Sequence, residues 1–186
     1  MIWGIVVIVV VVLLVVWLVA LYNRLVRLRV ETQQGWSNID VQLRRRYDLI
    51  PNLIETVKGY AAHESGVFQK VTEARTSALS AHGPAESAVA NTALGRALGG
   101  LFAVAEAYPD LKASQNFLQL QTELANVEEM LAAARRYYNS TVGRYNAQQV
   151  TVPTVLVAKF GNFGPAEFFE EEDAAVREAP KVSFGE

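Results

Sequence analysis

Residues 2–21 read IWGIVVIVVVVLLVVWLVAL, twenty residues without a charged side chain. At about 1.5 Å per helical residue the run spans about 30 Å, the thickness of a bilayer's hydrocarbon core. Inside lipid a backbone must satisfy its own hydrogen bonds, so a run of this length is predicted to be helical. Nine valines make it a mediocre helix former in water, but in lipid hydrogen bonding outweighs propensity. Trp3 lies at one end and Trp17 and Tyr22 at the other, where amphipathic rings favour the interfaces. A cleaved signal peptide has a positive leading region, a shorter apolar core and a small-x-small site. This run shows none of these. A buried helix of a soluble protein rarely lacks a polar stripe over such a length. Residues 1–21 are therefore expected to be an uncleaved transmembrane anchor. Arg24, Arg27 and Arg29 follow at once, and no basic residue precedes the run. The positive-inside rule then puts the N-terminus outside and the following domain in the cytoplasm. A periplasm-facing domain is the alternative.

Beyond the anchor the amphipathic pattern continues without a break. Leu21, Leu25, Leu28, Thr32, Trp36, Ile39, Leu43 and Tyr47 recur with a mean gap of about 3.7, close to the 11-residue repeat of a nearly straight helix. No proline interrupts residues 2–47, so one rod of about 70 Å is expected, with Gly35 a weak spot in it. Asp48-Leu-Ile-Pro51 is predicted to end it, because the residue before proline avoids the helical region and Asp48 is a good N-cap. Loss of that cap in Asp48→Ala is expected to cost about 1 kcal/mol. A second helix is predicted over 49–81, with Leu53, Val57, Ala61, Phe68, Val71 and Ala78 near one face. His82-Gly83-Pro84 is a turn. A third helix over 84–107 carries Ala90, Leu94, Ala97, Leu101, Val104 and Tyr108. Its Gly95, Gly99 and Gly100 are worth their propensity cost only where another helix packs close. A fourth, over 111–149, has a seam of Phe117, Leu120, Leu124, Val127, Leu131, Ala134, Tyr138, Val142 and Tyr145. The mean gap of that seam is 3.5, the coiled-coil value.

Short turns between long amphipathic helices make antiparallel neighbours. The predicted fold is all-α: a transmembrane helix continuing into an up-down-up-down bundle over 22–149. A returning fourth helix would deliver the apolar, aromatic segment 150–169, with Phe160 and Phe163, to headgroup level. The other reading folds that segment against the open end of the bundle. Residues 170–186 are acidic and punctuated by Pro and Gly, and a disordered tail is expected.

Charge and composition narrow the function. Residues 22–75 hold nine Lys or Arg against six acids, whereas 164–186 hold seven acids against two bases. The net charge of −2 lacks the basic face that nucleic acid requires. No cysteine is present, and His63 and His82 match no metal-ligand spacing. The densest polar group, Asp40, Arg44, Arg45, Arg46, Asp48, Asn52, Glu55 and Lys58, surrounds the predicted first hairpin tip. Carboxylates beside arginines suit phosphate binding or acid–base work. With no nucleophile and base, Gly-rich phosphate loop or complete HExxH, an interaction surface is the better reading. No catalytic residue, metal site or cofactor is assigned.

Several blocks resemble the LemA family. They are Tyr22–Arg29, Trp36–Tyr60, Ala105–Lys112, Asn116–Gln121 and the pairs Tyr138-Asn139 and Tyr145-Asn146. The likeness covers about 20–160. The chain departs where the family has Phe-Pro after the last Tyr-Asn pair and here Val152-Pro153 stands, and where its Gly-Phe becomes Gly161-Asn162-Phe163. The resemblance implies a single-pass membrane protein with a mostly helical domain and supplies no catalytic residues. The resulting expectation is a non-enzymatic, membrane-anchored scaffold or adaptor. It would contact membrane lipid, form a homo-oligomer and have a possible membrane protein partner. The alternative is a regulatory subunit of a membrane peptidase or envelope-stress pathway.

Overall fold

The structure is a computed structural model and describes residues 2–170. The apolar run and the amphipathic stretch behind it form one helix, α1 (Ile2–Lys58). Residues 2–20 are exposed all round, as a lipid-facing surface is in the absence of lipid. Beyond them the predicted stripe turns inward: Leu25, Thr32, Ile39, Leu43 and Tyr47 are buried, and Leu28 and Trp36 are half-buried.

The expected break at Asp48–Pro51 does not occur. Pro51 lies inside α1. An interior proline removes the N–H that would reach the carbonyl four residues back. That carbonyl, Tyr47 O, instead accepts a hydrogen bond from Arg75 Nε at 2.8 Å. Buried Ile50, Leu53, Ile54 and Val57 offset the remaining cost of carrying the helix past the proline. Asp48 is consequently exposed and mid-helical, capping nothing. The chain turns later, over residues 59–64, where Tyr60 and Ala61 both donate to Val57 O at 3.0 and 2.9 Å. The second helix is correspondingly shorter than 49–81: α2 (Ser65–Ser80). After a turn containing Gly83, at φ 76°, a conformation that suits glycine, comes α3 (Gly83–Glu106). The predicted fourth helix divides into a single turn, α4 (Pro109–Lys112), and α5 (Gln115–Val150), with buried Leu111 pinning the junction. A last short helix, α6 (Thr154–Phe160), follows. Among the described residues there is no strand. Apart from Glu170, the acidic stretch 170–186 lies outside the described residues.

The chain divides into two compact units. Unit 2 takes residues 42–129 together with Phe169 and Glu170. In it the last turns of α1, then α2, α3 and the first turns of α5 form a helical bundle. Two residues, Ala81 and His82, join α2 to α3, so these helices pack antiparallel. Phe102 of α3 meets Phe117 of α5 edge to face, ring centroids 6.4 Å apart. The buried residues of α3 are Ser87, Ala88, Asn91, Leu94, Leu98, Leu101 and Ala105. They share Leu94 and Leu101 with the predicted stripe, but the buried face is rotated from it, because two polar residues turn inward. Asn91 is drawn in by Arg46, whose Nη1 donates to its Oδ1.

Unit 1 takes residues 1–41 and 130–168. Here α1 and α5 run antiparallel: Glu31 pairs with Arg144 at 3.5 Å, and Trp36 meets Tyr138 at 6.0 Å between ring centroids. At Gly35 the two helices pack closely. A Cβ there would lie 3.3 Å from the Tyr138 Cα.

Candidate functional site

Tyr138 and Tyr145 stand seven residues apart on α5 and therefore share a face. Both are buried, and their hydroxyls hold the chain that returns after α6. Tyr138 Oη donates to Glu167 O at 2.7 Å, and Tyr145 Oη donates to Gly164 O at 3.1 Å. Between them Asn146 does the work of a neighbouring strand. Its Nδ2 donates to Ala166 O and its Oδ1 accepts from Ala166 N–H, both at 2.9 Å. Burial, and secondarily the Glu167 carboxylate, push the Tyr138 phenol up to about 12. Burial likewise raises Tyr145, with the nearby Arg29 charge opposing it.

This clamp fixes α6. Gln148 Nε2 donates to Thr154 Oγ1 at 2.8 Å at the start of the helix. At its end Gly161 N–H bonds Val157 O and Phe163 N–H bonds Ala158 O, while Asn162 takes the left-handed conformation at φ 51°. Phe163 then packs edge-on against Tyr22, centroids 5.5 Å apart. The helix therefore lies against the end of the apolar run. Leu156, Val157 and Phe160 face Leu18, Val19 and Tyr22 across an open groove of about 560 Å³.

The sequence-derived membrane set is thus partly gathered. Tyr22, Phe160 and Phe163 come together, while Phe160 is 93% exposed and Phe163 is half-buried. Arg24, Arg27 and Arg29 are exposed on the next turns of α1, and Trp17 precedes them in the run. Trp3 stands alone near the other end. Missing from that set were the residues that position it, Tyr138, Tyr145 and Asn146. The signal was present in the recurring Tyr-Asn pairs, whose tyrosines read simply as core.

The polar group fares differently. With no break at Pro51 there is no hairpin tip at 48–51, and all eight residues lie on α1. Arg46 is no surface residue: its side chain is 7% exposed and pairs with Glu128 at 2.5 Å, besides bonding Asn91. Arg44, Arg45, Asp48, Asn52, Glu55 and Lys58 are exposed, and Asp40 is half-buried. Glu55 and Lys58 pair at 2.9 Å, and the Lys58 ammonium sits 5.9 Å from the Phe68 ring. Asp40 and Arg44 also have partners. Asn52 and Glu55 border a shallow polar groove with Asn116, Gln119 and Glu123. Among the described residues, no three of His, Cys, Asp and Glu converge as metal ligands.

Residues 35–184 match the LemA family. Similar proteins include Magnetosome protein MamQ 2 of Paramagnetospirillum magneticum, 29% identical over 82% of this chain and 66% of its own length. Magnetosome protein MamQ of Magnetospirillum gryphiswaldense is 26% identical over the same shares, 82% and 66%. Protein LemA of Metamycoplasma hominis is 30% identical over 74% of this chain and 63% of its own length. The chain spans just under two thirds of the length of these relatives.

Proposed function

The chain belongs to the LemA family, and from that premise we propose that it is a non-enzymatic, membrane-anchored helical scaffold or adaptor that self-associates at the cytoplasmic face of a bacterial inner membrane. The observation that carries this reading is the unbroken α1. Residues 1–41 fall in one unit, with no joint between the bilayer-length run and the helix pair that follows it. Any surface presented by that pair is held at a set height above the membrane. Such placement suits a protein that positions others. The buried and half-buried polar side chains fit the same reading, since Arg46, Arg75, Tyr138 and Asn146 are occupied in tying helices and backbone together. Arg24, Arg27 and Arg29 directly after the run favour the cytoplasmic side for the domain.

The test is the mass of the full-length protein in lipid nanodiscs or mild detergent, with crosslinked neighbours identified. A mass of several chains with crosslinks between identical copies is expected. A monomer that co-purifies with a membrane peptidase would replace the scaffold by a regulatory subunit. Turnover of any substrate that is lost on changing Asp40 or Glu55 would make the protein an enzyme.

A further inference from the structure

Helix α6 is amphipathic in the opposite sense from a helix packed in water. The residues it buries are Thr154 and Ala158, one polar and one small. On its outer side, spaced by four so that they share a face, Leu156 and Phe160 are 58% and 93% exposed, and Val152, in the turn before the helix, is 79% exposed. Large side chains left facing out next to small ones turned in are unfavourable in water, and the arrangement is held in place. The Tyr138, Tyr145 and Asn146 clamp fixes the chain behind α6, and Phe163 against Tyr22 fixes its depth.

That depth identifies what covers the face. One wall of the groove is Leu18, Val19 and Tyr22, the last turn of the bilayer-spanning run and the residue that follows it. With the run in a membrane, this wall lies at the boundary between hydrocarbon and headgroups. The opposite wall, Leu156, Val157 and Phe160, has to lie at the same level. Lys159 is exposed on α6 and Arg24 is exposed just beyond Tyr22, placing cations where lipid phosphates lie.

We propose that α6 is a second membrane contact, an interfacial helix whose Leu156 and Phe160 enter the leaflet beside the anchor, and that the groove between α6 and Leu18–Tyr22 takes a phospholipid acyl chain. The bilayer that holds α1 supplies both. At about 560 Å³ the groove falls within the range of small-ligand clefts. Tethering by α1 supplies a high local lipid concentration, so a short helix suffices. The consequence is mechanical. A single spanning helix is free to tilt and rotate, and a contact at its side restrains both.

The chain has no cysteine, so single labels can be introduced without background. Full-length Leu156→Cys, Phe160→Cys and Val157→Cys would each carry a small fluorophore in nanodiscs of phosphatidylcholine and phosphatidylglycerol with brominated acyl chains. Val41→Cys serves as a control. It is exposed on α1 and lies about 30 Å beyond the end of the run. Several-fold stronger quenching at 156 and 160 than at 41 is expected, with 157 quenched as well. Quenching at 160 no greater than at 41 overturns the membrane contact, whether water or a second copy covers that face. A quenched 160 beside an unquenched 157 overturns the acyl-chain groove.

Discussion

Tyr138 joins the core of unit 1 to a hydrogen bond on which the return of the chain depends. Its phenol is raised above the unfolded value of 10.0 to about 12, so the folded state favours the neutral donor. That stabilisation is fully present below pH 10 and is lost as pH rises from 10 to 12. Tyrosinate absorbance of the intact chain, less that of Tyr138→Phe, is expected to show a midpoint above 10. A midpoint at the unfolded value would mean that the hydroxyl is not held. At neutral pH the same substitution is expected to lower stability by about 1 kcal/mol, the net worth of one hydrogen bond. Arg46 matters more. It is buried among helices with Asn91 on one side and Glu128 on the other. Arg46→Ala is expected to cost about 3 kcal/mol by chemical denaturation, the low end for breaking a buried pair, because Glu128 is half exposed and can rehydrate.

At the scale of elements, α1 survives an interior proline because α2 supplies the missing donor. The pairing predicts coupling. Arg75→Ala is expected to destabilise unit 2 by about 1 to 3 kcal/mol through the orphaned Tyr47 carbonyl. In a Pro51→Ala background, where a backbone N–H can reach that carbonyl, the cost should largely vanish. A double-mutant cycle reads this directly, and additive losses would show that Arg75 acts elsewhere. The α3 glycines point the other way from the reading that close packing demands them. A Cβ at Gly99 or Gly100 would meet nothing within 4 Å. Replacing both with Ala is expected to raise stability by about 1 to 2 kcal/mol, from helix propensity alone. Gly35 is a glycine set against close packing. There Ala has to push against the Tyr138 backbone, so thermal unfolding is expected at a lower temperature despite the better propensity.

At the scale of the whole molecule the spanning run sets the frame. Protease added to sealed inverted vesicles is expected to digest the chain beyond the arginine cluster and leave a fragment of about the size of the anchor. Complete protection would place the domain on the opposite side. This outcome is independent of whether α6 meets lipid, since the helix lies near the same end of the run in either orientation.

Much of this was legible in the residues alone. The uncharged run from Ile2 to Leu21 determines a helix long and apolar enough to anchor in a membrane, because in lipid a backbone of that length satisfies its hydrogen bonds only as a helix. The 3.5-residue seam of α5 and the stripe from Leu25 to Tyr47 determine helices and their buried faces, because burial of apolar side chains follows periodicity. What periodicity does not carry is the partner of a polar group. Whether Pro51 ends a helix depended on Arg75, twenty-four residues away in sequence. The face that α3 buries depended on Arg46 claiming Asn91. The position of α6 depended on two tyrosines and an asparagine bonding to the backbone of residues 164–167. Each is a hydrogen bond between segments distant along the chain, and only the tertiary structure decides which donor meets which acceptor, because local pattern records burial and not partnership.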